Sequence, residues 1–136
     1  MATIHNAYEY VARNSAITLP QLTAAATGTE VIDLRTQDGK GMYMNILFQY
    51  TIAAINTNVA VRLEGSLDNV SWFHLHGDDG NLTKTANGTY AMMYQGLGEI
   101  NYIRFYFVSE TGGTDATINA KAKIFGTQTP LGVVNI

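Results

Sequence analysis

Two segments of the chain alternate apolar and polar side chains with a period of two, and this alternation most limits the folds that are open to it. Residues 59–75 read VAVRLEGSLDNVSWFHL and contain a tight turn at 67–70, and residues 102–110 read YIRFYFVSE. Successive side chains of a β-strand point to opposite faces, so a strand with one buried face shows this period. Two such segments, one with its own turn, predict an antiparallel β-sandwich.

The same period recurs along most of the chain. The clearest example is 42–52, and further strands are predicted at 30–35, 88–95 and 116–124, separated by turns rich in Gly, Asp and Asn. No stretch of ten residues shows the apolar period of an amphipathic helix, which argues against folds built from βαβ units. The inward face of 42–52 is predicted to carry Met42, Met44, Ile46, Phe48, Tyr50 and Ile52.

The predicted fold class is therefore all-β, an antiparallel two-sheet β-sandwich. About eight strands at a spacing of roughly 8–12 residues are typical of sandwiches and barrels. A jelly roll fits best because the strands are long and the connections uneven, and an immunoglobulin-like sandwich is the alternative. Gly65 interrupts its strand, as glycine does at a bulge or a close backbone approach. Trp72 is expected in the core, with Trp72 or Phe73 the buried member of its short strand.

The 136 residues predict one domain. We expect residues 1–27 to form an N-terminal arm that ends in a first edge element and orders only against a partner, residues 28–126 to form the sandwich, and residues 127–136 to form a C-terminal tail. Charged residues make up only 14% of the chain, against about 25% in an average protein. Such a surface suits a chain that lies against other proteins.

The composition argues against several classes of partner. The net charge is −3 and the Lys and Arg residues are scattered singly, so no nucleic-acid footprint is predicted. No apolar run approaches the about 20 residues of a membrane helix, and the start of the sequence shows no secretory signal. The chain contains no cysteine, which excludes disulfides and thiolate metal sites. We expect a protein that binds no membrane and is made in a cytoplasm.

The residues that come closest to a metal site lie at 74–79. His74 and His76 share one face of a strand, as paired metal ligands do in cupin jelly rolls, and Asp78 and Asp79 follow. A third well-spaced ligand is missing, so no metal site and no cofactor are expected. The run 78–81 resembles a calcium loop but lacks the later bidentate Glu.

No catalytic constellation is present either. Glu64 is expected to pair across strands with Arg62 or Arg104 rather than to act as an acid or base. No nucleophile triad or phosphate loop appears, and we expect no enzymatic activity. Tyr43, Tyr102 and Tyr106 lie opposite the predicted core face, where aromatic rings are able to bind protein or sugar unless another layer covers them.

The motifs of the second half resemble a known family. The segments LEGSLDNVSWFHL and GTYAMMYQGLGEINYIRFYFVSETGGTDATINAKAKIFG resemble small virion proteins of tailed phages, in which a GS-x-D-x-x-x-W hairpin precedes a Y-x-R strand, a Gly-rich turn and a final alternating strand. The likeness covers 30–126 and is greatest to capsid cement, or decoration, proteins. It implies a structural protein, a homodimer or homotrimer, on the outer surface of an icosahedral phage head, with the major capsid protein as partner and a bacterial cytoplasm as the place of synthesis.

In such a protein the arm and the tail would bind neighbouring protein subunits. An extended segment is able to pair with the exposed sheet edge of a partner. The residues expected at the protein interface are Tyr8, Tyr10, Val11, Tyr43, Tyr102, Leu131, Val133 and Ile136.

The same hairpin and strand are similar to discoidin-type, galactose-binding-like jelly rolls. Ser66, Asp68, Trp72 and the Tyr102-Ile103-Arg104 run carry this second likeness. It implies an alternative function, a carbohydrate-binding module for adhesion, in which the 77–81 loop and nearby Tyr side chains form a shallow site. A cupin-type metalloenzyme is the third hypothesis, and it rests on the two histidines alone.

Overall fold

The computed structural model describes residues 4–7, 9–10, 15–23, 30–35, 45–75, 82–94 and 100–125. They form almost only β-structure, apart from helical backbone at Ala7, Glu9 and Tyr10. The strands are β1 (Ile4–Asn6), β2 (Ile17–Thr18), β3 (Leu22–Thr23), β4 (Val31–Asp33), β5 (Asn45–Ala53), β6 (Asn58–Ser66), β7 (Phe73–His74), β8 (Leu82–Lys84), β9 (Gly88–Tyr94), β10 (Tyr102–Thr111) and β11 (Thr117–Phe125).

These strands form two sheets. The first sheet has the order β1-β4-β10-β6-β7, with β8 also on β6, and the second has the order β2-β11-β5-β9, with β3 also on β11. All pairs are antiparallel except β1 with β4, which is parallel. The predicted two-sheet sandwich is confirmed, with one parallel edge pair that the sequence did not indicate.

The connectivity is that of a jelly roll. From β4 to β6 the chain changes sheet at every strand, and it does so again from β8 through β9 and β10 to β11. The early strands β2 and β3 lie beside the last strand, β11, in the same sheet. This interleaved order is the double Greek key of jelly rolls, and it differs from the immunoglobulin-like alternative.

The core lies between the sheets and contains side chains of both. In β5 the predicted inward face is confirmed, since Ile46, Phe48, Tyr50 and Ile52 are at most 1% exposed. The ring of Phe105 on β10 lies 5.8 Å from that of Phe48 and 5.2 Å from that of Tyr50. Each fully buried side chain of this size contributes about 1.5–3 kcal/mol, so these contacts hold the two sheets face to face. Met42 and Met44 lie outside the described residues.

Gly65 marks a close approach rather than a bulge. It pairs in register with Ile103, and a Cβ atom added to it would lie 3.0 Å from Leu75 Cδ2 and 3.2 Å from Phe73 Cε1. The bulge of this sheet lies on the partner strand instead, because the register of β10 against β6 shifts between Phe107 and Ser109.

The N-terminal residues that the structure describes are built into the sandwich. β1 extends the first sheet, whereas β2 and β3 extend the second. Ala7, Ile17 and Leu19 belong to the buried core. His5 connects this segment to the first sheet, since its Nε2 lies 2.5 Å from Glu30 Oε1. Within 1–27, the short strands β2 and β3 lie at the end of the second sheet, beside β11. The described part of 1–27 pairs with strands of this chain and packs against its core, and the expected tail at 127–136 lies outside the described residues.

Candidate binding face

The outer face of the first sheet is formed by the side chains of β4, β6 and β10 that point away from the core. The register sets Arg104 opposite Glu64, and Tyr106 opposite Arg62. At the other end of β10, Tyr102 lies opposite Asp33 of β4. Because β10 alternates, its inward residues Ile103, Phe105 and Phe107 fix the outward direction of Tyr102, Arg104 and Tyr106.

Glu64 is the centre of this face. The residue is only 2% exposed although it points away from the core. Its Oε1 accepts a hydrogen bond from Arg104 Nε at 2.7 Å, and its Oε2 accepts one from Arg62 Nε at 2.8 Å. The second terminal nitrogen of each arginine lies 2.7 Å and 2.5 Å from the same oxygens. A buried carboxylate needs such pairing, and two guanidinium groups on one carboxylate leave the cluster with an excess positive charge.

Aromatic rings hold the arginines from the other side. The Cζ of Arg104 lies 4.1 Å from the centroid of the Trp72 ring, and that of Arg62 lies 4.7 Å from the Tyr106 ring. Cation–π contacts of this kind stabilise by about 0.5–2 kcal/mol and restrict the side chains. The guanidinium groups are therefore presented in fixed positions.

A second pair, Arg35 just after β4 and Tyr102 on β10, extends the pattern. Arg35 Nε and its terminal nitrogen each donate to the Asp33 carboxylate at 3.0 Å, and Arg35 Cζ lies 4.9 Å from the Tyr102 ring. The hydrogen bond to Asp33 raises the pKa of Arg35 above its ordinary value, so the charge is permanent. We define the arginine–aromatic face by its six members, Arg35, Arg62, Trp72, Tyr102, Arg104 and Tyr106.

A rigid turn at one end of this face exposes two apolar side chains. Ser66 Oγ accepts from the backbone of Asp68 and Asn69, and Asp68 Oδ1 accepts from the backbone of Val70 and Ser71. The hydrogen bond from the Ser71 backbone, followed by those from the Val70 backbone and the Ser66 hydroxyl, lowers the pKa of Asp68. The same turn leaves Leu67 60% and Val70 78% exposed.

The residue types of the face are those of protein recognition surfaces. Both oxygens of Glu64 are occupied by arginine. Arg, Trp and Tyr are the residue types that dominate the energetic centres of protein interfaces. Across the described ranges, no group of three or more His, Asp or Glu side chains is arranged to hold a metal ion.

Of the four candidate metal ligands, only His74 lies among the described residues. His74 is exposed on β7 and pairs in register with Glu64. His76, Asp78 and Asp79 lie outside the described residues, as does the rest of the 77–81 loop.

Two of the residues predicted at the interface are described. Tyr102 lies on the arginine–aromatic face, as its strand alternation predicted. Tyr10 instead packs against the core, and its hydroxyl lies 3.2 Å from His5 Nδ1. The other six, Tyr8, Val11, Tyr43, Leu131, Val133 and Ile136, lie outside the described residues.

The prediction for Trp72 was wrong, and the one for Glu64 is confirmed. Trp72 is half-buried and lies outside the core beneath Arg104, Phe73 is exposed, and Leu75 is the buried residue of that segment. Glu64 pairs with both of the cations proposed for it. The sequence signal that could have placed Trp72 outside is the alternation of 72–75, because Trp72 lies on the opposite face from the buried Leu75 when side chains alternate.

Comparison with known proteins identifies the fold and no family. No family model and no curated protein matches the chain. Among solved structures, the crystal structure of the SPBc2 prophage-derived protein YomS is similar, with a TM-score of 0.52 at 12% sequence identity. The match covers 82% of this chain and 92% of that chain. This likeness shows a shared fold over most of both chains. None of the helical residues described here belongs to a helix long and apolar enough to span a membrane.

Proposed function

We propose that this protein is a structural component of a phage virion, bound to the outer surface of the icosahedral head, where it cements neighbouring major capsid protein subunits without catalysis. The arginine–aromatic face carries the proposal, because it joins three fixed guanidinium groups to three aromatic rings on one side of a rigid sheet. Two findings support it: the motif resemblance to cement proteins, and the fold shared with a prophage-derived protein.

The docking chemistry follows from the face itself. Arginines whose positions are fixed before binding lose little conformational entropy when a partner arrives. Their planar donors pair well with carboxylates, so the expected capsid surface is acidic and carries apolar pockets. The exposed Leu67 and Val70 at the end of the face supply apolar anchors for such pockets. A stable contact requires about 800 Å² on each partner, and many copies on one lattice add avidity.

The carbohydrate-binding alternative requires an open aromatic platform. On the described part of the face the rings of Trp72, Tyr102 and Tyr106 each have an arginine stacked on them. We therefore favour protein docking over carbohydrate binding as the role of this face. A glycan array probed with the purified chain tests the alternative directly.

The decisive experiment is co-sedimentation of the purified chain with empty heads assembled from the major capsid protein. We expect stoichiometric binding, at least tenfold weakened by Trp72→Ala, which corresponds to about 1.4 kcal/mol. The matched control is Gln49→Ala, an exposed position on the outer face of the second sheet. Equal binding by both variants would exclude this face, and absence of the chain from heads would overturn the cement role.

A further inference from the structure

Strand β9 (Gly88–Tyr94) is the long edge of this sandwich. It lies at the end of the second sheet and pairs with β5 over all seven of its residues without a register shift. The other strands at sheet ends, β1, β2, β3, β7 and β8, have only two or three residues each. Alternate backbone N–H and C=O groups of β9 consequently point away from β5 as a regular ladder.

This edge lacks the features that usually prevent strand pairing. Proteins protect sheet edges with short strands, charged side chains, proline or bulges. The β9 sequence GTYAMMY contains no charged residue and no proline, and its pairing is regular. Among the residues that the structure describes, no strand pairs with the outer side of β9.

We propose that β9 pairs antiparallel with β9 of a second copy of this chain, around a two-fold axis at Ala91, so that the second sheets of two copies become continuous. Ala91 is the central residue of the strand, and it is exposed. In this register Ala91 meets Ala91 of the second copy, Thr89 meets Met93, and Tyr90 meets Met92.

In this register the side chains of β9 are complementary to those of β9 in the second copy. On the outer face, Met93 is 51% exposed, and it would pack on the methyl group of Thr89 from the second copy. On the inner face, the half-buried Tyr90, whose ring already lies against Tyr50 and beneath the Lys84 ammonium group, would lie opposite the buried Met92 of the second copy. The two-fold operation brings equivalent residues together, so any charge on the strand would meet its like. The absence of charge therefore favours a second copy as the occupant.

Disulfide trapping tests the register. The chain has no cysteine, so Ala91→Cys introduces a single thiol. Residues directly opposite in an antiparallel pair have Cα atoms about 4.5–5.5 Å apart, within the about 4.4–6.8 Å that a disulfide spans. We expect the Ala91→Cys protein to form a covalent dimer at least tenfold faster than Ala53→Cys, the matched control at an exposed position of the central strand β5. Equal rates would overturn the proposal.

Light scattering of the isolated wild-type chain tests the association itself. We expect a dimer that dissociates on dilution, and a monomer for Ala91→Lys, which places two like charges at the axis. The control Ala53→Lys should remain dimeric, and its circular dichroism should match that of Ala91→Lys. A wild-type monomer at about 1 mM, where a Kd of 1 mM would leave half of it associated, or a dimer unaffected by Ala91→Lys, would overturn the inference. The inference extends beyond the proposed docking role, and because no capsid is present its failure is distinguishable from failure of that role.

Discussion

The guanidinium carbon of Arg104 lies 4.1 Å from the centroid of the Trp72 ring. Trp72 is the one tryptophan of the chain, so tryptophan fluorescence reports on the surroundings of this residue alone. The indole is half-buried, and the arginine that covers it is held by the buried carboxylate of Glu64.

Replacing Arg104 by lysine should loosen the face while leaving the fold intact. Lysine cannot reproduce both the stacking on Trp72 and the hydrogen bond to Glu64. We expect Arg104→Lys to lower the free energy of unfolding by about 0.5–2 kcal/mol and to increase acrylamide quenching of Trp72. Lys121→Arg, at an exposed position of β11, should change neither. Unchanged quenching in Arg104→Lys would contradict the observed stacking.

Removal of the central carboxylate should have a larger effect. Glu64→Ala leaves Arg62 and Arg104 partly buried with no countercharge, and breaking a buried pair in this way destabilises by about 3–5 kcal/mol. Urea unfolding followed by circular dichroism measures the loss. Asp115→Ala, which removes an exposed acid, should change stability by less than about 0.5 kcal/mol. Similar values for the two variants would mean that the Glu64 pairing contributes little.

Tyr50 should tolerate loss of its hydroxyl. Its ring is fully buried, and its hydroxyl oxygen has no hydrogen-bond partner among the described residues. An unpaired buried hydroxyl is unfavourable by about 1–3 kcal/mol, so Tyr50→Phe should leave the free energy of unfolding unchanged or raise it. Tyr90→Phe is the control, because the Tyr90 hydroxyl donates to the Ala86 carbonyl and its loss should destabilise. A destabilised Tyr50→Phe protein would show that the hydroxyl is hydrogen-bonded in solution.

The loss of stability at alkaline pH should depend on Tyr50 as well. Burial first, and then the neighbouring Tyr90, raise the pKa of Tyr50 to about 12. Because the unfolded chain loses this proton near pH 10 whereas the folded chain retains it, the free energy of unfolding is unaffected by this group below pH 10 and falls as the pH rises from 10 towards 12. Tyr50→Phe should flatten this decline in melting temperature. An identical decline in the variant would assign it to other groups.

The loss of stability at acidic pH should depend on Glu110. Partial desolvation favours its neutral form, but hydrogen bonds from the backbone of Ala116 and Asn56, and from Asn56 Nδ2, outweigh that effect and lower its pKa. A lowered folded-state pKa means that stabilisation is present above the ordinary value of 4.5 and is lost as the pH falls through the folded pKa. Glu110→Gln should therefore reduce the fall in stability below pH 4.5. Asp115→Asn is the control, and the same pH profile in wild type and Glu110→Gln would contradict the assignment.

Period-two alternation predicted which face of each single strand points into the core. The inward faces of β5 and β10 follow directly from it, because a buried face requires apolar residues at every second position. The choice of jelly roll over immunoglobulin-like sandwich was correct, although it rested on strand length and loop unevenness.

Apart from the pairing of Glu64 with Arg104, relations between strands could not be derived in this way. The stacking of Arg62 on Tyr106 depends on the register of β6 against β10, which neither segment encodes alone. The parallel pairing of β1 with β4 was missed because a three-residue strand is too short to show a period. Trp72 was misplaced because large aromatic residues are usually buried, whereas here a cation covers the ring.

The pairing of β11 with β2 and β5 has a consequence for biosynthesis. The last described strand supplies Ile118, Ala120, Ala122 and Ile124 to the core, so the second sheet cannot close until the ribosome has translated nearly all of the described chain. Such non-local pairing slows folding. Nascent chains that stall before β11 would leave the apolar side of β5 uncovered, and we expect them to need a holding chaperone or to be degraded.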